Sequence, residues 1–281
     1  MFNLLRMDLY RLFRTKSVYL CLATLLAASV LSFWVMWLTS TPEGRKAITG
    51  LDASVTTDSN ENDRGMVIIS VQNESFPILE DYDILALFRE IGMDGGAYAC
   101  LLGIVVSIFV CHDYKSGFIK NILSLHRRRW HYIACKIITA GILNLLYLVI
   151  SFGFCLLLNA LFHDLVPLTD TDSILFYLSQ SWVVTTAFAA LFILIITLTR
   201  STSAGVLASV LLGSGIIVIL LLSLTQLWSW NSWADYTLYY NQTYMPSRYS
   251  TLHDLKGYAV GAGFLILYFA AAAGILTKKD I

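Results

Sequence analysis

The sequence predicts an all-α membrane protein of six transmembrane helices, preceded by an N-terminal amphipathic helix, with the N- and C-termini both cytosolic. Three observations carry this. Only 14% of the 281 residues are charged and 57% are hydrophobic, against about 25% charged in an ordinary soluble domain, and the mean hydropathy is +0.67. A soluble chain of this length would lack the polar surface to cover such a core. The apolar residues also gather into six runs near the length of about 20 residues that a helix needs to cross a bilayer. Finally, with the N-terminus inside, 13 of the 19 Lys and Arg fall on the inner side or at its border, and only three acids (Asp8, Asp113 and Asp280) do. That asymmetry is the positive-inside rule. A net charge of zero leaves no basic stripe to follow phosphates, so nucleic acid is excluded as a partner.

The elements follow in order. Residues 1–16 place Phe2, Leu5, Leu9, Leu12 and Phe13 on one helical face with Arg11 and Arg14 opposite, the pattern of a helix lying along the inner membrane surface. The first span runs from about Ser17 to Leu38 and passes any small-residue cleavage site, so it reads as a retained helix and not a signal peptide. Residues 39–94 form an acidic extracellular segment with 11 acids and four bases, a net charge of −7. Within it Ile78–Ile91 has helical periodicity and Met66–Val71 has strand character. The second span is about Gly95–Cys111, followed by a basic cytosolic loop at 112–131. The third, about Tyr132–Phe162, is long enough to tilt or to extend beyond the bilayer. Spans four and five fall near Ser173–Leu198 and Ser203–Trp228. An extracellular loop rich in Trp and Tyr covers 229–256, and the last span is about Gly257–Thr277. Residues 17–281 therefore read as one six-span domain without internal repeats. Trp34, Trp37, Trp228, Trp230 and Trp233 at outer ends and Trp130 at an inner end form the expected aromatic belt.

What the spans lack is informative. No Asp or Glu lies inside them; Asp94 and Asp113 stand only at the edges of the second. Carriers driven by protons or sodium usually hold ionisable groups within their spans. Asn144, Asn159, Gln180, Thr185, Thr186 and Gln226 read instead as hydrogen-bonding partners between helices. There is no phosphate-binding GxxxxGK[ST] loop, no HExxH and no GxSxG. His112–Asp113 and His163–Asp164 are neighbours in sequence, which does not make a catalytic dyad. Cys21, Cys100, Cys111, Cys135 and Cys155 sit in or beside apolar runs without CxxC or Cys/His spacing, so neither a disulfide nor a zinc site is expected. No catalytic residue, metal or cofactor is assigned to this chain. Energy for any active movement must come from another polypeptide.

The most informative stretch is Cys111-His112-Asp113-Tyr114-Lys115-Ser116-Gly117-Phe118-Ile119-Lys120-Asn121-Ile122-Leu123, followed by Arg127-Arg128-Arg129-Trp130 and Lys136. Physically this is an acid at the inner end of a span, a glycine turn and a short helix. Ile119, Ile122 and Leu123 share one face of that helix, with Lys120 and Asn121 beside them. Two readings stand: the apolar face is covered by another protein, or it packs on its own spans and lipid headgroups.

On these residues the chain resembles the ABC-2 type permeases, the membrane subunits of ATP-binding-cassette exporters. Their loop after the second span typically has an acid, three residues ending in glycine, then Thr-x-Lys-Asn and an aliphatic pair. Asp113, Gly117, Lys120, Asn121, Ile122 and Leu123 match that pattern. The Arg-rich turn with Lys136, the opening Leu5–Arg14 and the ending Lys278–Ile281 resemble the family's third-span entry, elbow helix and short cytosolic tail. Two positions depart: Asp113 stands where Glu is more usual, and Phe118 replaces Thr, which removes a capping hydroxyl and implies a more hydrophobic contact with the ATPase.

The resemblance implies a multi-pass protein of the bacterial plasma membrane. Two permease subunits, identical or homologous, would form the substrate pathway, each docking a separate ABC ATPase subunit that binds the ATP and magnesium. The docking element is a coupling helix at about Gly117–Leu125. Asp113 would anchor the hinge, Lys120 and Asn121 would contact the ATPase, and Ile119 and Ile122 would fill its groove. The cargo is expected to be a peptide or amphipathic drug. The acid cluster Glu80, Asp81 and Asp83 is consistent with cationic peptides, and Tyr236, Tyr239, Tyr240, Tyr244 and Tyr249 with an aromatic exit lip. Ordinary solvation of the acids and interfacial anchoring of the tyrosines are the preferred readings of the same residues. The alternative from another class is a membrane scaffold or sensor that binds a cytosolic regulator and transports nothing.

Overall fold

In lipid every backbone N–H and C=O must be satisfied within its own segment, so apolar runs free of water become helices. The computed structural model describes residues 2–40, 83–119, 130–162, 165–226 and 233–278. Among the described residues there is no strand. The stretches Met66–Val71 and residues 120–129 lie outside them, as do 78–82 of the periodic segment.

Helix α1 covers Phe2–Phe13 and α2 Lys16–Ser40. Between them the chain turns over Arg14 and Thr15, with the Thr15 hydroxyl donating to the Leu12 carbonyl and the Tyr19 hydroxyl donating to the Phe13 carbonyl over 2.8 Å. Helix α3 (Ile84–Phe88) continues through a π turn at Arg89–Met93 and a 3-10 turn at Asp94–Gly96 into α4 (Ala97–Lys115). The long α5 (Trp130–Leu161) and α6 (Thr171–Thr199) follow. Helices α7 (Thr202–Gly213) and α8 (Ile216–Gln226) meet at an angle of 51°. A short α9 (Leu238–Thr243) precedes α10 (Lys256–Lys278).

Five of these helical stretches are long and apolar enough to cross a membrane, and six if α7 and α8 form one bent span. The all-α membrane class therefore holds. Two spans differ from expectation in shape. The second begins earlier, at Ile84, because α3 and its two tight turns stack onto α4. The fifth is bent, and its cause is Gly213-Ser214-Gly215: Gly215 has φ +72°, and the Tyr239 ring occupies the space a side chain there would need.

Helix α6 is the centre of the bundle, packed by α4, α5, α7 and α10. Its Tyr177, Val184, Phe188, Phe192, Ile193 and Ile196 are buried. The outer faces of α2 and α10 stay apolar and exposed, with Leu20, Leu31 and Trp34 on one and Ile266 and Leu267 on the other. Such faces suit lipid contact.

Two devices fix helix positions. Asn144 on α5 donates to the Thr185 and Thr186 hydroxyls of α6 at 2.8 and 2.9 Å and accepts from the Tyr98 hydroxyl of α4 at 2.8 Å. Three helices are thereby joined at one buried amide, as the sequence implies for Asn144, Thr185 and Thr186. The second device is a contact between backbones. Gly96 has φ +70°, and a Cβ there would lie 1.8 Å from the Gly213 carbonyl oxygen. The break before α4 thus packs directly on the end of α7.

Helix α1 turns one stripe of its surface to the protein and leaves another free. Leu4, Asp8 and Leu12 are buried, while Phe13 and Tyr10 are exposed. The stripe that faces the bundle contains a carboxylate. Its partners explain why.

Candidate functional site

Asp113 lies in the last turn of α4, Lys136 in the second turn of α5, and Asp8 in the middle of α1. All three are fully or almost fully buried. The Lys136 ammonium sits 2.8 Å from Asp8 Oδ1 and 2.6 Å from Asp113 Oδ2. Arg11, one turn beyond Asp8 on the same face of α1, places Nη2 2.8 Å from Asp113 Oδ1. The Tyr132 hydroxyl donates to Asp113 Oδ2 at 3.1 Å. Lys136 also lies 4.1 Å from the centre of the Phe109 ring, within cation–π reach.

Two carboxylates thus balance two cations, with Asp8, Asp113 and Lys136 withdrawn from solvent and the Arg11 side chain 24% exposed. A buried charge is tolerable only when it is paired and hydrogen-bonded. The arrangement pairs each charge by drawing on three elements, α1 with Asp8 and Arg11, the end of α4 and the start of α5, while Asp8 Oδ2 and Arg11 Nη1 keep no hydrogen-bond partner among the described residues. Burial pushes the Asp8 carboxyl above its usual range, and the Lys136 ammonium opposes that rise. Asp113 is the hub, since it faces both cations and the Tyr132 hydroxyl.

The cluster stands at the root of the loop that follows α4. Ser116 caps the helix, and Gly117 turns the chain with φ +69°. Among the described residues nothing lies within 4 Å of a Cβ placed at Gly117, so the backbone angle is what calls for glycine. Phe118 then puts its ring centre 4.3 Å from the Arg11 guanidinium carbon. Ile119, expected to fill a partner's groove, is 2% exposed and joins the chain's own core. Of the candidate residues named from sequence, Asp113, Gly117, Phe118 and Ile119 are brought together here. Lys120, Asn121, Ile122 and Leu123 lie outside the described residues.

Asp8, Arg11, Tyr132 and Lys136 were not singled out as site residues by the sequence reading. The sequence holds a signal for two of them, Lys136 and Asp8. Lys136 is a lone cation inside an apolar run, and such a residue calls for a named counter-ion. Asp8 and Asp113 are two of the only three acids assigned to that side.

At the opposite end of α6, a cleft of about 540 Å³ is lined by Asp170, Asp172, Phe176, Arg248 and Tyr249. Its Arg248–Asp170 pair, 3.4 Å apart, is largely exposed and contributes little. Among the described residues no group of three or more His, Cys, Asp or Glu is placed to hold a metal ion.

Residues 91–220 match the model of the ABC-2 family transporter proteins. That stretch holds the break before α4, the charge cluster's Asp113 and Lys136, the loop between them, and α5 to α7. No curated protein matches the chain.

Proposed function

We propose that this chain, a member of the ABC-2 transporter family and so a transmembrane permease subunit of an ABC transporter, works as an exporter driven by a separate ATPase docked on the loop after α4. Two permease chains, identical or homologous, line the pathway between them. The end carrying α1, Asp113, Lys136 and Arg200 faces the cytosol, and both termini lie there. Support for this orientation comes from charge. Arg6, Arg11, Arg14, Lys16, Lys115, Lys136 and Arg200 belong to that end, whereas Glu90, Asp94, Asp170, Asp172, Asp235 and Asp254 belong to the other.

The observation that carries the reading is the anchoring of the loop root. A loop that receives force from a partner must be tied to the spans it moves. Asp113 ties it to α5 through Lys136 and to α1 through Arg11 and, beyond Lys136, Asp8. Closure of the ATPase dimer on ATP moves the segment Gly117–Leu125, and the charge cluster passes that movement to three helices together. Lys120 and Asn121 contact the ATPase; ATP and magnesium are bound there and not in this chain.

The cargo is read as a peptide or amphipathic drug. This rests on the net charge of −7 over residues 39–94 and on the exposed Tyr236, Tyr244 and Tyr249 at the outer end. Neutralising Glu80, Asp81 and Asp83 should lower survival under a cationic peptide; unchanged resistance removes the cationic-peptide part.

The docking claim is tested by purifying the tagged protein in mild detergent and identifying its companions by mass spectrometry. An ABC ATPase should accompany the wild type and be lost from a Lys120→Glu, Asn121→Ala variant. An ATPase retained by the variant contradicts the assigned contact. A kinase-type regulator in its place, or no companion, favours a scaffold or sensor.

A further inference from the structure

We infer that α1 is a moving part of the force path, with Arg11 as its positioning residue and Phe118 as the handle by which the loop grips it; this rests on the permease reading above. A helix lying along a membrane surface is held by its apolar face sinking into lipid. Helix α1 is held by charge as well. Its Asp8 and Arg11 point into the protein and meet Lys136 and Asp113, so its position is tied to α4 and α5 by charge.

Arg11 makes two contacts with two consecutive parts of the loop root. Its guanidinium pairs with the Asp113 carboxylate at 2.8 Å and stacks over the Phe118 ring at 4.3 Å. A planar guanidinium can pair at its edge while stacking on its face, and an ammonium cannot do both as well. Phe118 therefore reaches α1 while staying half-buried. The ring that replaces the family's usual Thr thus has an internal contact of its own. Ile119, buried beside it, faces inward as well.

From α1 the path continues through the chain itself. The Arg14–Thr15 turn is braced by the Thr15 and Tyr19 hydroxyls, so α1 and α2 are joined stiffly. The Tyr147 hydroxyl of α5 donates to the Val18 carbonyl at the start of α2, over 2.5 Å. Movement of Phe118 is thus passed to α1 and then to the base of α2, the peripheral span with the long exposed face. The lever has a fixed length, a stiff joint and a grip at each end.

The test uses the intact complex with its ATPase, reconstituted in lipid nanodiscs, with the native cysteines replaced. Spin labels are placed at Asn3→Cys on α1 and Thr199→Cys at the end of the central α6, both exposed positions. The distance distribution is read with and without Mg-ATP in wild type, Phe118→Thr, Arg11→Lys and Arg11→Ala. Mg-ATP should shift the distribution in wild type. The shift should shrink in Phe118→Thr and Arg11→Lys and vanish in Arg11→Ala, while the ATPase still co-purifies with each. Phe118→Thr keeps the Arg11–Asp113 pair and carries the test if Arg11→Ala fails to fold. An ATPase-bound wild type with no shift, or a Phe118→Thr variant with the full shift, overturns the inference and leaves the permease reading standing. Absence of any ATPase from the wild type overturns both.

Discussion

The Lys136 ammonium lies 2.8 Å from the Asp8 carboxylate, across 128 positions of sequence, with both side chains almost completely removed from solvent. The contact joins the first helix of the chain to the base of the fifth. Among the described residues Asp8 has no other cation as near, whereas Asp113 has both Lys136 and Arg11.

That inequality orders the effects of substitution. Removing one partner of a buried pair costs about 3–5 kcal/mol because a charge is left uncompensated. Lys136→Met strands Asp8 and should lower the melting temperature in detergent most. Asp8→Asn leaves Lys136 on Asp113 and should cost less. Equal losses in the two variants would mean that Lys136 does not bridge the carboxylates.

Asn144 is the second structural knot. Its amide serves Tyr98, Thr185 and Thr186, each on a neighbouring helix. Interhelical hydrogen bonds in membranes contribute about 0.6 kcal/mol on average and rarely above about 1.7. Asn144→Ala, losing several, should cost about 1–3 kcal/mol in reversible unfolding with denaturing detergent. The folded variant should retain its ATPase, since the knot is far from the loop in sequence and on a different turn of α5.

Gly95 and Gly96 separate two contributions that usually come mixed. Gly95 has φ +74° and Gly96 φ +70°, but among the described residues only Gly96 meets a neighbour, the Gly213 carbonyl. Alanine at Gly95 should cost only the left-handed backbone penalty of about 1–2 kcal/mol. Alanine at Gly96 adds a clash with backbone that has nowhere to retreat, and should abolish folded yield in the membrane fraction. Comparable yields of the two variants would contradict the packing of α4 on the end of α7.

Much of this was legible in the sequence because lipid imposes one rule on long segments. Apolar length alone placed the helices from Lys16, Trp130, Thr171 and Lys256 within a few residues. The bend at Gly213–Gly215 was less legible, since an apolar run shows hydropathy and not direction. It depends on Tyr239, which fills the gap from a distant loop. Which side of α1 meets the bundle is not legible for a related reason. Hydrophobic periodicity finds the greasiest face, but Lys136 and Asp113 draw the charged one inward. Only a tertiary partner decides between the two, and that partner lies more than 100 residues away. Asp113, Gly117, Phe118 and Ile119 were named from their order along one loop, while Arg11 reaches the same place from another element.

The most direct measurement is native mass spectrometry of the wild-type complex released from lipid nanodiscs. Two permease chains with two ABC ATPase subunits are predicted, and the ATPases should dissociate when Lys120→Glu and Asn121→Ala are introduced together. A permease that flies alone, or with a partner that is not an ATPase, would contradict the claim that the loop rooted at Asp113 is where ATP-driven force enters this protein.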